Sequence, residues 1–106
     1  MKIYAVGTLS IDLPDGKINR QRLWFFFADF KAAEKAVLNN DTDMFEMGYY
    51  NMGLIEEHVV LDTNENWDVA KQWWYRADFS TETQETSVEK IDQPECFKQC
   101  CNFLAG

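Results

Sequence analysis

Residues 71–79 alternate with a period of two that matches a β-strand and no helix. Trp73, Tyr75, Ala77 and Phe79 fall on one face; Gln72, Arg76 and Asp78 share the other with Trp74. Large rings bury roughly 150–250 Å² each. A row of them requires a sheet with something packed on it. The whole chain has 106 residues, 16 of them aromatic (Phe 8, Trp 4, Tyr 4). That length predicts one domain, since domains commonly run to about 100–150 residues. The rings exceed what a small core needs, which predicts that some lie at an interface.

Other segments read as partners for that strand. Residues 2–11 place Ile3, Ala5, Leu9 and Ile11 on one face and Tyr4, Thr8 and Ser10 on the other. Leu13, Pro14, Asp15 and Gly16 spell a turn, with Pro fixing φ and Gly accepting φ > 0. Residues 20–28 return, with Leu23, Phe25 and Phe27 opposed to Trp24 and Phe26, which predicts a central strand covered on both sides. Asp29 reads as a helix N-cap, and Phe30, Ala33, Val37 and Leu38 form a helical stripe that Asn39 and Asn40 end. Residues 43–46 resemble a capping box with Gly48 as its C-cap, predicting one short helical turn. A strand over 49–61, bulged near Gly53, and a short edge strand over 87–91 complete the pattern. Loops are expected over 62–68 and 80–87. The tail allows either a helix or a turn begun by Pro94 followed by a strand over 101–104, and the second is preferred. The expected architecture is α+β: an antiparallel sheet of four to six strands with one main helix packed on a face.

Charge is distributed unevenly along this pattern. The net charge is −8, and residues 36–70 contain no lysine or arginine. They contain eight carboxylates: Asp41, Asp43, Glu46, Glu56, Glu57, Asp62, Glu65 and Asp68. The flanking segments nearly cancel, at +2 before and −2 after. A surface of this kind repels nucleic acid and steers basic partners toward it. Met44, Phe45, Met47, Tyr49, Tyr50 and Met52 are interleaved with the carboxylates, which adds apolar contact to the steering.

Catalytic and metal motifs are weak by comparison. His58 is the only histidine, and without a nucleophile signature it reads as a half-exposed sheet residue among carboxylates. Cys96, Cys100 and Cys101 have no zinc-site spacing and read as reduced, buried small hydrophobes. Glu56 and Glu57 are adjacent on a strand, so they point to opposite faces and do not flank one substrate bond. Asp41, Asp43 and Glu46 supply too few ligands for a calcium loop. No cofactor or metal is expected. Lys17, Arg20 and Arg22 bracket the first hairpin. With Trp24, Trp74 and Arg76, Arg20 and Arg22 define an alternative small-ligand site for a nucleotide, in which arginines hold phosphate and a ring stacks on the base. Residues 1–11 alternate where a secretory leader would be apolar, and no run approaches the ~20 apolar residues of a membrane span, so the expected compartment is the cytosol.

The run DTDMFEMGYYNMGLIEE, with Trp73-Trp74-Tyr75 downstream and Pro94-Glu95-Cys96 ahead of Asn102-Phe103, resembles small proteins of phages and bacterial mobile elements. In size and charge the chain resembles anti-CRISPR and other anti-defence proteins. That resemblance implies a non-enzymatic inhibitor in a host bacterial cytosol, with a basic nucleic-acid-binding effector as its partner. The expected docking surface lies within residues 41–68 and uses Asp41, Asp43, Glu46, Tyr49, Tyr50, Glu56 and Glu57.

Overall fold

The computed structural model describes residues 2–12, 17–59 and 68–94, with backbone alone at 68–70. Among the described residues, five strands form one antiparallel sheet: β1 (Lys2–Asp12), β2 (Lys17–Phe27), β3 (Met52–Val59), β4 (Asp68–Ser80) and β5 (Glu85–Ile91). Their order is β2-β1-β3-β4-β5. One α-helix, α1 (Phe30–Leu38), packs on one face. The expected α+β architecture is therefore the observed one. The 13–16 turn, the 60–67 part of the acidic segment with Asp62 and Glu65, and the tail with its three cysteines lie outside the described residues, as does the side chain of Asp68.

The faces of β4 follow the alternation in its sequence. Tyr75 and Ala77 join Val6, Ile55, Ala33, Ala36 and Val37 in the helix-side core, with Trp73 packed against it. Trp74 lies in a second cluster with Leu9, Ile11, Met52 and Leu54 on the opposite face. β3 is the central strand, and Leu54 and Ile55, adjacent in sequence, are both fully buried. Its pairing with β1 runs without a break, so the bulge expected near Gly53 is absent; the irregularity falls between Glu57 and His58, toward β4. Gly53 is needed for space instead. A Cβ there would lie 2.9 Å from Phe45 Cζ and 3.3 Å from Val37 Cγ1.

β2 departs from the expected central position and, among the described residues, is an edge strand. Val6 pairs with Phe25 but Gly7 with Leu23, so one residue, Trp24, is extra. This bulge turns both Trp24 and Phe25 toward the helix-side core and moves Leu23 away from it. Leu23 and Phe26 are left 40% and 53% exposed. Aromatic residues on both sides of this strand reflect a bulge, and not burial on both faces.

The Asp29 carboxylate accepts from Ala32 N, capping α1 as expected. Asn40 adopts the left-handed conformation just past its end. The stripe is shifted slightly: Ala36 is buried and Leu38 exposed. Beyond β4, the expected 80–87 loop contracts to a turn at 81–84, and β5 starts earlier than its apolar residues suggested.

A polar tie fixes the helix to the sheet. Buried Tyr75 donates its hydroxyl to Glu34 Oε2 at 2.6 Å, and Lys90 Nζ on β5 lies 3.0 Å from the same oxygen. The hydrogen bond from Tyr75, with help from Lys90, holds the Glu34 carboxyl below its ordinary value of 4.5. Burial, then the nearby carboxylate, pushes the Tyr75 phenol up.

Two outcomes follow from this packing. Gly53→Ala should destabilise by about 1–3 kcal/mol, the usual effect of overpacking; a urea melt with an unchanged midpoint would show that Phe45 is free to move aside. Glu34 is depressed in the fold, so its contribution is complete above pH 4.5 and is lost as pH falls through its lowered value. Glu34→Gln should therefore flatten the acid limb of a stability-versus-pH curve below 4.5, and an unaltered limb would refute the tie.

Candidate functional site

Between α1 and β3 the chain crosses from the sheet edge to its centre through two single 3₁₀ turns, η1 (Asp41–Asp43) and η2 (Glu46–Gly48). The capping box expected at 43–46 is not formed. The Asp43 carboxylate accepts from Asn40 Nδ2 and from Met47 N, four residues on, and so braces the turn from outside. Asn40 Oδ1 accepts from Phe45 N, and Tyr50 N donates to Phe45 O. Met44 and Phe45 are fully buried beneath the turn. Their burial anchors the segment to the helix-side core.

This turn is conformationally strained. Asn40, Thr42, Asp43, Glu46 and Met47 all have φ between 49° and 54°. The left-handed region costs an ordinary L-residue roughly 1–2 kcal/mol, with Asn the most tolerant. Burial of Met44 and Phe45 opposes that cost. The consequence is that Asp41, Asp43, Met47 and Tyr49 point into solvent, with Met47 57% and Tyr49 47% exposed.

Arginines from β2 lean over the same turn. The Arg20 guanidinium lies 4.6 Å from the Tyr49 ring centre, and that of Arg22 lies 4.0 Å from the Trp24 ring centre. Arg22 Nη1 is also 3.6 Å from Glu46 Oε2, with both side chains partly exposed. Trp24 Nε1 donates to Thr8 Oγ1 at 2.9 Å, fixing the ring under Arg22. Tyr49 meets Tyr50 edge-on. The structure thus merges part of the acidic surface with part of the alternative arginine site into one cluster.

Several expected site residues lie elsewhere. Glu56 and Glu57 are buried, because β3 is central and both its faces are covered; they are no part of an open acidic surface. Glu57 accepts from the Tyr4 hydroxyl at 3.2 Å and lies 3.6 Å from Lys2 Nζ. Burial, then that hydrogen bond, raises the Tyr4 pKa. Glu56 accepts from Gln72 Nε2 at 2.9 Å and lies 3.4 Å from His58 Nε2. His58 is fully buried and not half-exposed, since it shares the central strand. Tyr50 is only 6% exposed and serves the core instead of a docking surface. Burial, then the Glu46 charge, raises its pKa.

The alternative ligand site is likewise divided. Trp74 is 1% exposed in the cluster opposite the helix. Arg76, exposed near the other end of the sheet order, pairs with Glu89 and lies 3.4 Å from Asp78. It is three strands from Arg20 and Arg22, a lateral gap of about 14 Å at normal strand spacing. Trp74 and Arg76 therefore do not complete a site with Arg20, Arg22 and Trp24.

Sequence reasoning missed Asn51 as a positioning residue. Its side chain accepts from Ile11 N at 3.0 Å and donates to Ile11 O at 2.9 Å, mimicking a strand backbone. Its own N–H donates to Leu9 O and its carbonyl accepts from Ala77 N, so it joins the turn to both β1 and β4. An asparagine just before an apolar run was the available signal. Among the described residues, no group of three or more His, Cys, Asp or Glu is placed to hold a metal ion, and no helix is long and apolar enough to cross a membrane. In comparisons with known proteins the chain matches no family, no curated protein and no solved structure.

The strain in the turn is directly measurable. Thr42 is exposed, β-branched and left-handed, so Thr42→Gly should stabilise by about 1 kcal/mol after allowing for the extra freedom of the unfolded chain. A lower urea midpoint for this variant would contradict the left-handed geometry.

Proposed function

We propose that the protein is a non-enzymatic interaction protein whose 41–49 turn docks on a basic protein surface. The supporting observation is the turn itself. It spends backbone strain and two fully buried anchors, Met44 and Phe45, to present Asp41, Asp43, Met47 and Tyr49 outward. Carboxylates there supply long-range steering, and the Met47 and Tyr49 side chains supply contact once water is expelled. Arg20 holds the Tyr49 ring in place, which lowers the entropy lost on docking. The partner this chemistry suits is a basic, nucleic-acid-binding effector, with carboxylates standing where phosphates would lie. An anti-defence role for a phage or mobile-element protein belongs to the same proposal.

The docking surface is smaller than the acidic third of the sequence. It excludes Glu56, Glu57 and Tyr50, which are buried. Asp43 contributes charge but also braces the turn, so it is a poor choice for reversal. Asp41 and Tyr49 are the informative pair. A pull-down from bacterial lysate, followed by binding kinetics on the recovered partner at two salt concentrations, tests the proposal. Asp41→Lys should slow association, and the deficit should shrink as salt shortens the Debye length below ~10 Å. Tyr49→Ala should instead speed dissociation. Wild-type kinetics from both variants would refute docking through this turn.

A further inference from the structure

The edge strand β2 presents a second surface, of the opposite polarity. Residues 19–23 are all exposed, with Arg20 and Arg22 resting only in part on Tyr49 and Trp24. An edge strand also has backbone N–H and C=O groups that its sheet leaves unpaired. β2 contains Lys17, Arg20 and Arg22 and no carboxylate, within a chain of net charge −8. Among the described residues only Glu46 forms an ion pair with any of the three. Leu23 and Phe26, paired with Gly7 and Ala5, are exposed on the side away from the helix.

We propose that β2 is a strand-addition site for an extended acidic segment of a partner protein. An added strand lies about 4.8 Å from its neighbour, with facing side chains about 4.5–5.5 Å apart. Its carboxylates would face Arg20 and Arg22 on the helix side, and its alternate apolar residues would cover Leu23 and Phe26 on the other. The same cations repel a second β2 edge, which argues against pairing between two copies through this strand. Edge amides in strand geometry suit a peptide better than a nucleic acid, which would use the cations alone. Register breaks at Asn19 and Trp24 bound the regular stretch at 20–23.

The test is an NMR titration of the ¹⁵N-labelled full chain with a blocked octapeptide alternating glutamate and valine. Controls are the lysine–valine peptide, a single-stranded oligothymidine and a dilution series of the protein alone. The glutamate peptide should shift amides within 18–27. The variant R20E/R22E should bind it about tenfold or more weakly and should instead accept the lysine peptide, a charge swap that only a folded edge can give. Phe26→Ser should weaken the glutamate peptide without changing its charge preference. Equal binding of both peptides, shifts centred on 85–91 or 41–49, stronger binding of the oligothymidine, or β2 shifts that follow protein concentration without peptide would each overturn the proposal. Its failure leaves the acidic turn untouched, because that reading is tested separately, on a basic partner with the Asp41 and Tyr49 variants.

Discussion

Burial of β3 on both faces is the constraint from which the rest of the structure follows. Leu54 and Ile55 are consecutive and point opposite ways, yet neither is exposed. The helix-side core buries one face, and on the other Leu54 is buried in a separate cluster with Leu9, Ile11, Met52 and Trp74. A strand held this way has no solvent side on which to place charge. Glu56, Glu57 and His58 must then find polar partners, as Gln72 and Tyr4, and Lys2 reaching in from the surface, illustrate. Buried polar groups need hydrogen bonds because losing hydration is costly. The acidity of this segment is therefore partly structural.

The same constraint explains the strained turn. The chain leaves α1 and must enter the sheet at its centre, passing across the helix-side core. Phe45 fills the space above Gly53, where a Cβ would collide with its ring. Asn51 then completes the entry by bonding to Leu9, Ile11 and Ala77. Between these fixed points the backbone repeatedly takes left-handed conformations that only the buried anchors justify energetically. What remains outside is a compact group of carboxylates, a methionine and a tyrosine braced by arginine. Strain, anchoring and exposure have one origin in the path of the chain.

Much of the architecture was legible in the sequence. The alternation at 72–79 identified both faces of β4, and the faces of β1 were also assigned correctly. Asp29 and Asn40 marked the helix ends because capping depends on side chains within a few residues. β2 was misread because a bulge adds one residue to one strand of a pair, and the period of the sequence carries no mark of it. The candidate site was legible in part. Asp41, Asp43 and Tyr49 are exposed as expected, whereas Glu56, Glu57 and Tyr50 are buried. Arg20 and Arg22 emerged as neighbours of the acidic turn and not as partners of Trp74 and Arg76.

The division has a simple physical basis. Local pattern alone determined the centres of the five described strands, where the helix begins and ends, and that the negative charge concentrates in the middle of the chain, because those properties depend on neighbours in sequence. Tertiary structure decided which carboxylates are charges on a surface and which are hydrogen-bond acceptors in a core. It also decided that β2 lies at an edge and β3 at the centre, and that arginines 20 and 22 meet the turn near Tyr49 and Glu46. Those outcomes depend on strand order, and strand order brings together residues that sequence separates by more than twenty positions.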